Sequence, residues 1–150
     1  MGFDRWQKYV EPETSALVIV DVENDCASQT GILGAMGAYE CLMQREVLAN
    51  IIRAIEECRE KNMQIFWVTC SFQPGYADIP YDSPYGIMRI LAPTLAFLEP
   101  LVKMICEKMG LPPYEVGKLW KYGSHSIAVV DYLQPYMQPG DFIINKRMYD

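Results

Sequence analysis

Ala16-Leu17-Val18-Ile19-Val20-Asp21-Val22-Glu23-Asn24-Asp25 is the stretch that decides the fold. Its first five residues are apolar without alternation, the pattern of a strand covered on both faces, as in parallel sheets. The run stops at a carboxylate and opens into an acidic turn, at the end where parallel sheets keep their chemistry. A second run, Asp141-Phe142-Ile143-Ile144-Asn145-Lys146, stops at a cation. If both runs lie in one parallel sheet, Asp21 and Lys146 emerge at the same edge, and that pairing is the main functional clue in the chain.

Between the two runs, a Gly-rich stretch from Gly31 to Gly37 precedes a helix predicted from about Gln44 to Lys61. Its Leu48, Ile51, Ile55 and Cys58 form one apolar stripe, with Arg53, Glu56, Glu57 and Glu60 outside it. Asn62 is the expected stop, and Met63 to Thr69 is the next buried strand. Strand, helix and strand at this spacing make a right-handed parallel crossover. The third strand waits until Phe142, because residues from about 73 to 122 form a long excursion holding seven of the ten prolines. Within it Leu95, Leu98, Leu101, Val102, Ile105 and Met109 repeat at helical spacing. The expectation is a helix, kinked or divided at Pro100, that covers the sheet; a lid or dimer surface is the other reading. Ile127, Val130 and Leu133 predict a further short helix, and Gln138-Pro139-Gly140-Asp141 a turn into the third strand.

The predicted fold class is α/β: a three-layer α/β/α arrangement around a parallel, Rossmann-like sheet, incomplete at three strands. Residues 1–150 read as one domain carrying the 73–122 insertion. In a doubly wound order the first strand falls at an edge, although it is apolar on both faces. That mismatch predicts that continuing chain, a second chain or a homo-oligomeric partner completes the sheet.

Composition narrows the function classes. At 150 residues and 51% hydrophobic, the chain can bury a core without disulfides or a metal. A net charge of −6, from 19 acids against 13 scattered bases, offers no basic stripe for nucleic acid or anionic membrane. The most apolar window, Ile87 to Met109, carries Arg89, Glu99, Lys103 and two prolines, so no membrane span is predicted. Five cysteines without CxxC spacing, and an amino terminus lacking a signal-peptide core, predict a reduced cytoplasmic protein. His125 is the single histidine, which predicts no zinc site, and no cofactor is expected.

The phrase Ser15 to Asp25 resembles the opening of the isochorismatase-like cysteine hydrolases, whose first strand ends in Asp and a Gln-Asn-Asp turn. Gly123 to Pro135, followed by Pro139-Gly140-Asp141-Phe142-Ile143-Ile144-Asn145-Lys146-Arg147-Met148-Tyr149-Asp150, resembles that family's later helix, turn and strand ending in Lys-x-x-Tyr. The Pro-rich excursion has no counterpart in the resemblance. What the resemblance implies is an Asp-Lys-Cys triad that cleaves a small amide, ureido, carbamoyl or related substrate. Asp21 would take the thiol proton, and Lys146 would favour the thiolate and the developing oxyanion. Asn24 and Tyr149 are the candidate substrate-binding residues. The nucleophile would stand at the start of a helix after a fourth strand, beyond Lys146, and none of Cys26, Cys41, Cys58, Cys70 and Cys106 matches it. The chain alone is therefore expected to lack thiol turnover.

Each candidate also has an ordinary structural reading. Asp21 could bond backbone amides, Asn24 and Asp25 could form the turn, and Tyr149 could pack beneath the site. Cys26 reads as a small hydrophobe, and Trp67, Phe72, Tyr76, Tyr81 and Tyr85 as packing or as an aromatic pocket wall. Two other functions compete. One is an inactive binding or assembly module, consistent with the missing nucleophile. The other is a magnesium-dependent phosphatase using Asp21 and Glu23, weakened by the absence of the further acidic motif such an enzyme needs.

Overall fold

The computed structural model describes residues 10–82, 86, 88–109, 120 and 122–147. Their regular elements are β1 (Ala16–Val20), α1 (Asn24–Ala27), α2 (Tyr39–Gln44), α3 (Val47–Glu60), β2 (Gln64–Cys70), α4 (Met88–Met109) and β3 (Phe142–Lys146). The strands form one parallel sheet in the order β1-β2-β3, with Val20 beside Val68 and Cys70 beside Lys146. The α/β class expected from the sequence is the class observed.

The alternation of side chains across this sheet decides where the core lies. Ile19, Ile65 and Trp67 point to one face, where Leu48 and Ile55 of α3 and the later residues Val129, Val130 and Leu133 bury them. On the other face, the register sets Val18, Phe66 and Phe142 in one row and Val20, Val68 and Ile144 in the next. Val18, Val20, Phe142 and Ile144 are each about half exposed, and the Phe66 and Phe142 rings stack at 4.9 Å. Over the described residues helices therefore cover one face, and the outer helical layer of a three-layer fold is not among them. Among these residues β1 pairs with β2 alone, so it is an edge strand with an apolar open face.

α3 carries the predicted stripe but starts later than expected. Glu46, in the left-handed region at φ 52°, separates it from α2, an element the sequence reading did not anticipate. Asn62 adopts φ 56° and ends the helix as predicted. The Gly-rich stretch is a π-helical turn, Gly34–Ala38, leading into α2. At Gly31 and Gly34 a Cβ would collide with the carbonyls of Asn24 and Ser28, so only glycine lets this segment lie against α1.

Two expectations are corrected. No α-helix forms from 127 to 133: the segment has 3₁₀ turns at His125–Ile127 and Gln134–Tyr136, with a bridge at Val129 and a turn at 131–133 between them. Val129 bridges Glu23, the Val130 N–H bonds the Val22 carbonyl at 2.9 Å, and these tertiary bonds override the helical spacing. α4 begins seven residues before Leu95 and runs unbroken through Pro93 and Pro100. Its principal packing partner among the described residues is the turn at Pro74–Tyr76, not a strand. Ile90 and Phe97 on it are largely exposed.

Candidate active site

Three strand ends define the site. β1 and β3 flank β2, so Asp21 and Lys146 leave the same edge with one strand between them. Alternation would send the Asp21 side chain to the face opposite Val20. Instead Asp21 takes the left-handed conformation, φ 57°, while its N–H still bonds the Val68 carbonyl at 2.9 Å. The bend releases the carboxylate from strand geometry, and Lys146 Nζ lies 2.9 Å from its Oδ2. Burial pushes the Lys146 ammonium down, but the hydrogen bond and the charge of Asp21 outweigh burial and hold its pKa above the usual lysine value. The other Asp21 oxygen, Oδ1, is buried and has no hydrogen-bond partner.

Beneath the pair lies Glu23, fully buried at 0% exposure. Its Oε1 accepts the backbone N–H of Cys70 at the end of β2, and Oε2 has no partner. Burial, reinforced by Asp21 and Asp25, pushes its carboxyl up to about 8 against the pull of the Cys70 amide and Lys146. Asp25 is buried too, and its Oδ2 accepts the Trp120 N–H at 2.8 Å. Among the described residues no group of His, Cys, Asp and Glu is arranged to hold a metal ion.

Asn24 is 4% exposed, and its amide works inside the protein. Nδ2 donates to the His125 carbonyl at 3.1 Å and to Asp131 Oδ1 at 3.3 Å, while Oδ1 accepts the Asp131 N–H at 3.2 Å. These bonds staple the 125–131 segment to α1 and leave Asn24 aimed away from the Asp21–Lys146 pair. Tyr149 lies outside the described residues. Phe72, Tyr76 and Ile79 pack with Cys70 as a second small core under the strand ends, the packing role foreseen for those aromatics. Tyr85 lies outside the described residues.

Cys70 was missed by the sequence reading, although it ends an apolar run of the same sheet and must emerge at the same edge. Its thiol is 1% exposed, and burial, with Glu23 and Asp21 adding to it, pushes the pKa up to about 11. Cys26, pushed up to about 12 first by burial, is equally far from a thiolate at neutral pH. Glu23 was legible as a turn acid and as a metal-binding carboxylate of the competing phosphatase reading; its burial, with Val129 bridged to it, is not announced by anything local.

Two concavities adjoin these elements. A groove of about 520 Å³ follows β1 from Leu17 to Val22, reaches Asp21 and Cys26, and is walled by Leu42 and Ile51. A larger one, about 830 Å³, lies between α1, α2 and α3; Asn24 and Asp131 line it, but neither Asp21 nor Lys146 does. Proximity to the charged pair makes the smaller groove the relevant one.

No protein-family model matches the chain. Its structure is similar to the crystal structure of a cysteine hydrolase from Pseudomonas syringae pv. phaseolicola 1448A, with TM-score 0.50 and 14% sequence identity. The likeness covers 93% of this chain and 49% of that one. The chain thus shares an α/β fold with a cysteine hydrolase and spans about half the length of that protein.

Proposed function

We propose that the chain supplies the acid and lysine of an isochorismatase-like hydrolase that cleaves a small amide, ureido, carbamoyl or related substrate. The observation that carries the reading is the 2.9 Å approach of Lys146 Nζ to Asp21 Oδ2 across the central strand. Asp21, with one oxygen on Lys146 and one unengaged, is a base with an open lone pair. The raised thiol pKa values of Cys26 and Cys70 argue that the nucleophile comes from elsewhere, and the groove along the unpaired edge of β1 is where a strand delivering it fits.

In this reading Asp21 takes the thiol proton as sulfur attacks the carbonyl carbon. The ammonium of Lys146 stabilises the thiolate and faces the negative charge that develops on oxygen. The proton held by Asp21 passes to the leaving nitrogen as the C–N bond breaks, giving an acyl-thioester. Water, deprotonated by the same carboxylate, then releases the acid and restores the thiol. Asn24 contributes by fixing α1 beneath the pair, and Tyr149 remains a proposed substrate contact. No cofactor enters these steps, and the reduced thiols suit a cytoplasmic setting.

The test is hydrolysis of a panel of small amides and ureides by the protein together with whatever completes its sheet. Retained turnover in Asp21→Asn overturns the mechanism. A second reading, an assembly module without activity, is favoured by the half-exposed row of Val18, Val20, Phe142 and Ile144 and the unpaired β1 edge. It requires a tight partner or homo-oligomer and no hydrolysis from the completed sheet.

A further inference from the structure

The buried acid under the pair has a feature that the hydrolase reading does not use. Glu23 Oε2 and Asp21 Oδ1 are both buried oxygens without a hydrogen-bond partner. Two ionised carboxylates can only accept, so neither could relieve the other, and each would bear the full cost of lost hydration. A protonated carboxyl has an O–H to donate.

We propose that Glu23 is a positioning residue that works as a neutral carboxylic acid, one oxygen accepting the Cys70 N–H at the end of β2 and the other keeping its proton buried beneath the Asp21–Lys146 pair. The groups that face it are Asp21 from β1, Asp25 from its own turn, the thiols of Cys26 and Cys70, and Lys146 from β3. Of these only Lys146 is cationic, and it is already bonded to Asp21. A neutral Glu23 adds no charge beside that pair; an ionised Glu23 sets another anion against the ammonium that Asp21 holds. The upward shift to about 8, caused first by burial, agrees with this arrangement. The consequence for catalysis rests on the hydrolase reading, whereas the protonation itself does not.

Two measurements on the full chain decide it. In a carbon-13 NMR titration the Glu23 carboxyl should titrate near 8 instead of near 4.5, and Glu23→Gln, which keeps an acceptor and a donor but cannot ionise, should lose that step. Unfolding equilibria provide the independent check. The folded chain holds a proton that the unfolded chain releases, so the wild type should lose stability as pH rises from about 4.5 to about 8. The loss approaches at most about tenfold in the folding constant per pH unit, and Glu23→Gln should not share it. A Glu23 carboxyl titrating near 4.5, or parallel stability curves for the two proteins, overturns the proposal whatever the turnover. Absence of hydrolysis with a midpoint near 8 sinks the hydrolase reading and supports the proton on Glu23.

Discussion

The sheet carries a carboxylate–cation pair at each end, and the two differ in how many donors hold the carboxylate. At the start of β3, Asp141 is 1% exposed at its side chain and meets both guanidinium nitrogens of Arg59 at 2.6 Å. Its Oδ2 also accepts the Trp67 indole N–H at 2.8 Å and the Gln138 N–H at 3.0 Å. Burial pushes this carboxyl up, but the bonds from Arg59, Trp67 and Gln138 prevail and hold it below the usual carboxylate range. At the other end, Asp21 has one contact with a flexible ammonium and one oxygen left over. Oδ2 of Asp141 accepts three donors and locks β3, β2 and α3 together, although its Oδ1, like that of Asp21, is buried without a hydrogen bond; Asp21, held by one ammonium, contributes less to stability. The difference between them separates architecture from chemistry in this fold.

Substitutions at the two ends should therefore fail in different assays. On the hydrolase proposal the largest effect is on turnover: Asp21→Asn should lose about 10³-fold, near 4 kcal/mol of barrier, since the proposed general base is removed. Its unfolding midpoint should barely move. Asp141→Asn should do the reverse, costing about 3 kcal/mol in urea unfolding because Arg59 loses its buried counter-charge. Equal destabilisation by the two would erase the distinction. Trp67→Phe sharpens it, since it removes one donor to Asp141 and should cost about 1–2 kcal/mol in the same assay, without altering hydrolysis beyond that loss of folded protein. Lys146→Met should also cost within about 1 kcal/mol of stability, as for a partly exposed pair, while hydrolysis on the same proposal falls about 10²-fold with loss of the oxyanion's cation. Thiol labelling adds a check of the site's resting state. Cys70, with its pKa pushed up to about 11, should resist alkylation at pH 7 in the folded chain and react once unfolded.

The three strands, their parallel order and the convergence of Asp21 with Lys146 were legible because unbroken apolar runs between turn signals leave few alternatives. The stripe of α3 and the stop at Asn62 were legible for the same local reasons. What escaped were features decided by distant chain. The 127–133 segment has helical spacing, yet its backbone bonds go to Val22 and Glu23 across a hundred residues of sequence. Asn24 read as a candidate substrate ligand from its place beside Asp21, but its amide is committed to Asp131 and the His125 carbonyl. Cys70 became visible as a site residue, and Glu23 as a buried acid instead of the metal-binding carboxylate of the phosphatase reading, only through the bond between them at the end of β2. The apolar repeat of α4 announces a helix, while nothing in the repeat says that the helix docks on the Pro74–Tyr76 turn.

The left-handed backbone at Asp21 has an evolutionary corollary. Asparagine is the other side chain that enters this conformation readily, so exchanging one oxygen for an amide nitrogen would silence the proton carrier at almost no conformational expense. On the proposed mechanism, one such exchange would separate an active protein from an inactive one of the same fold.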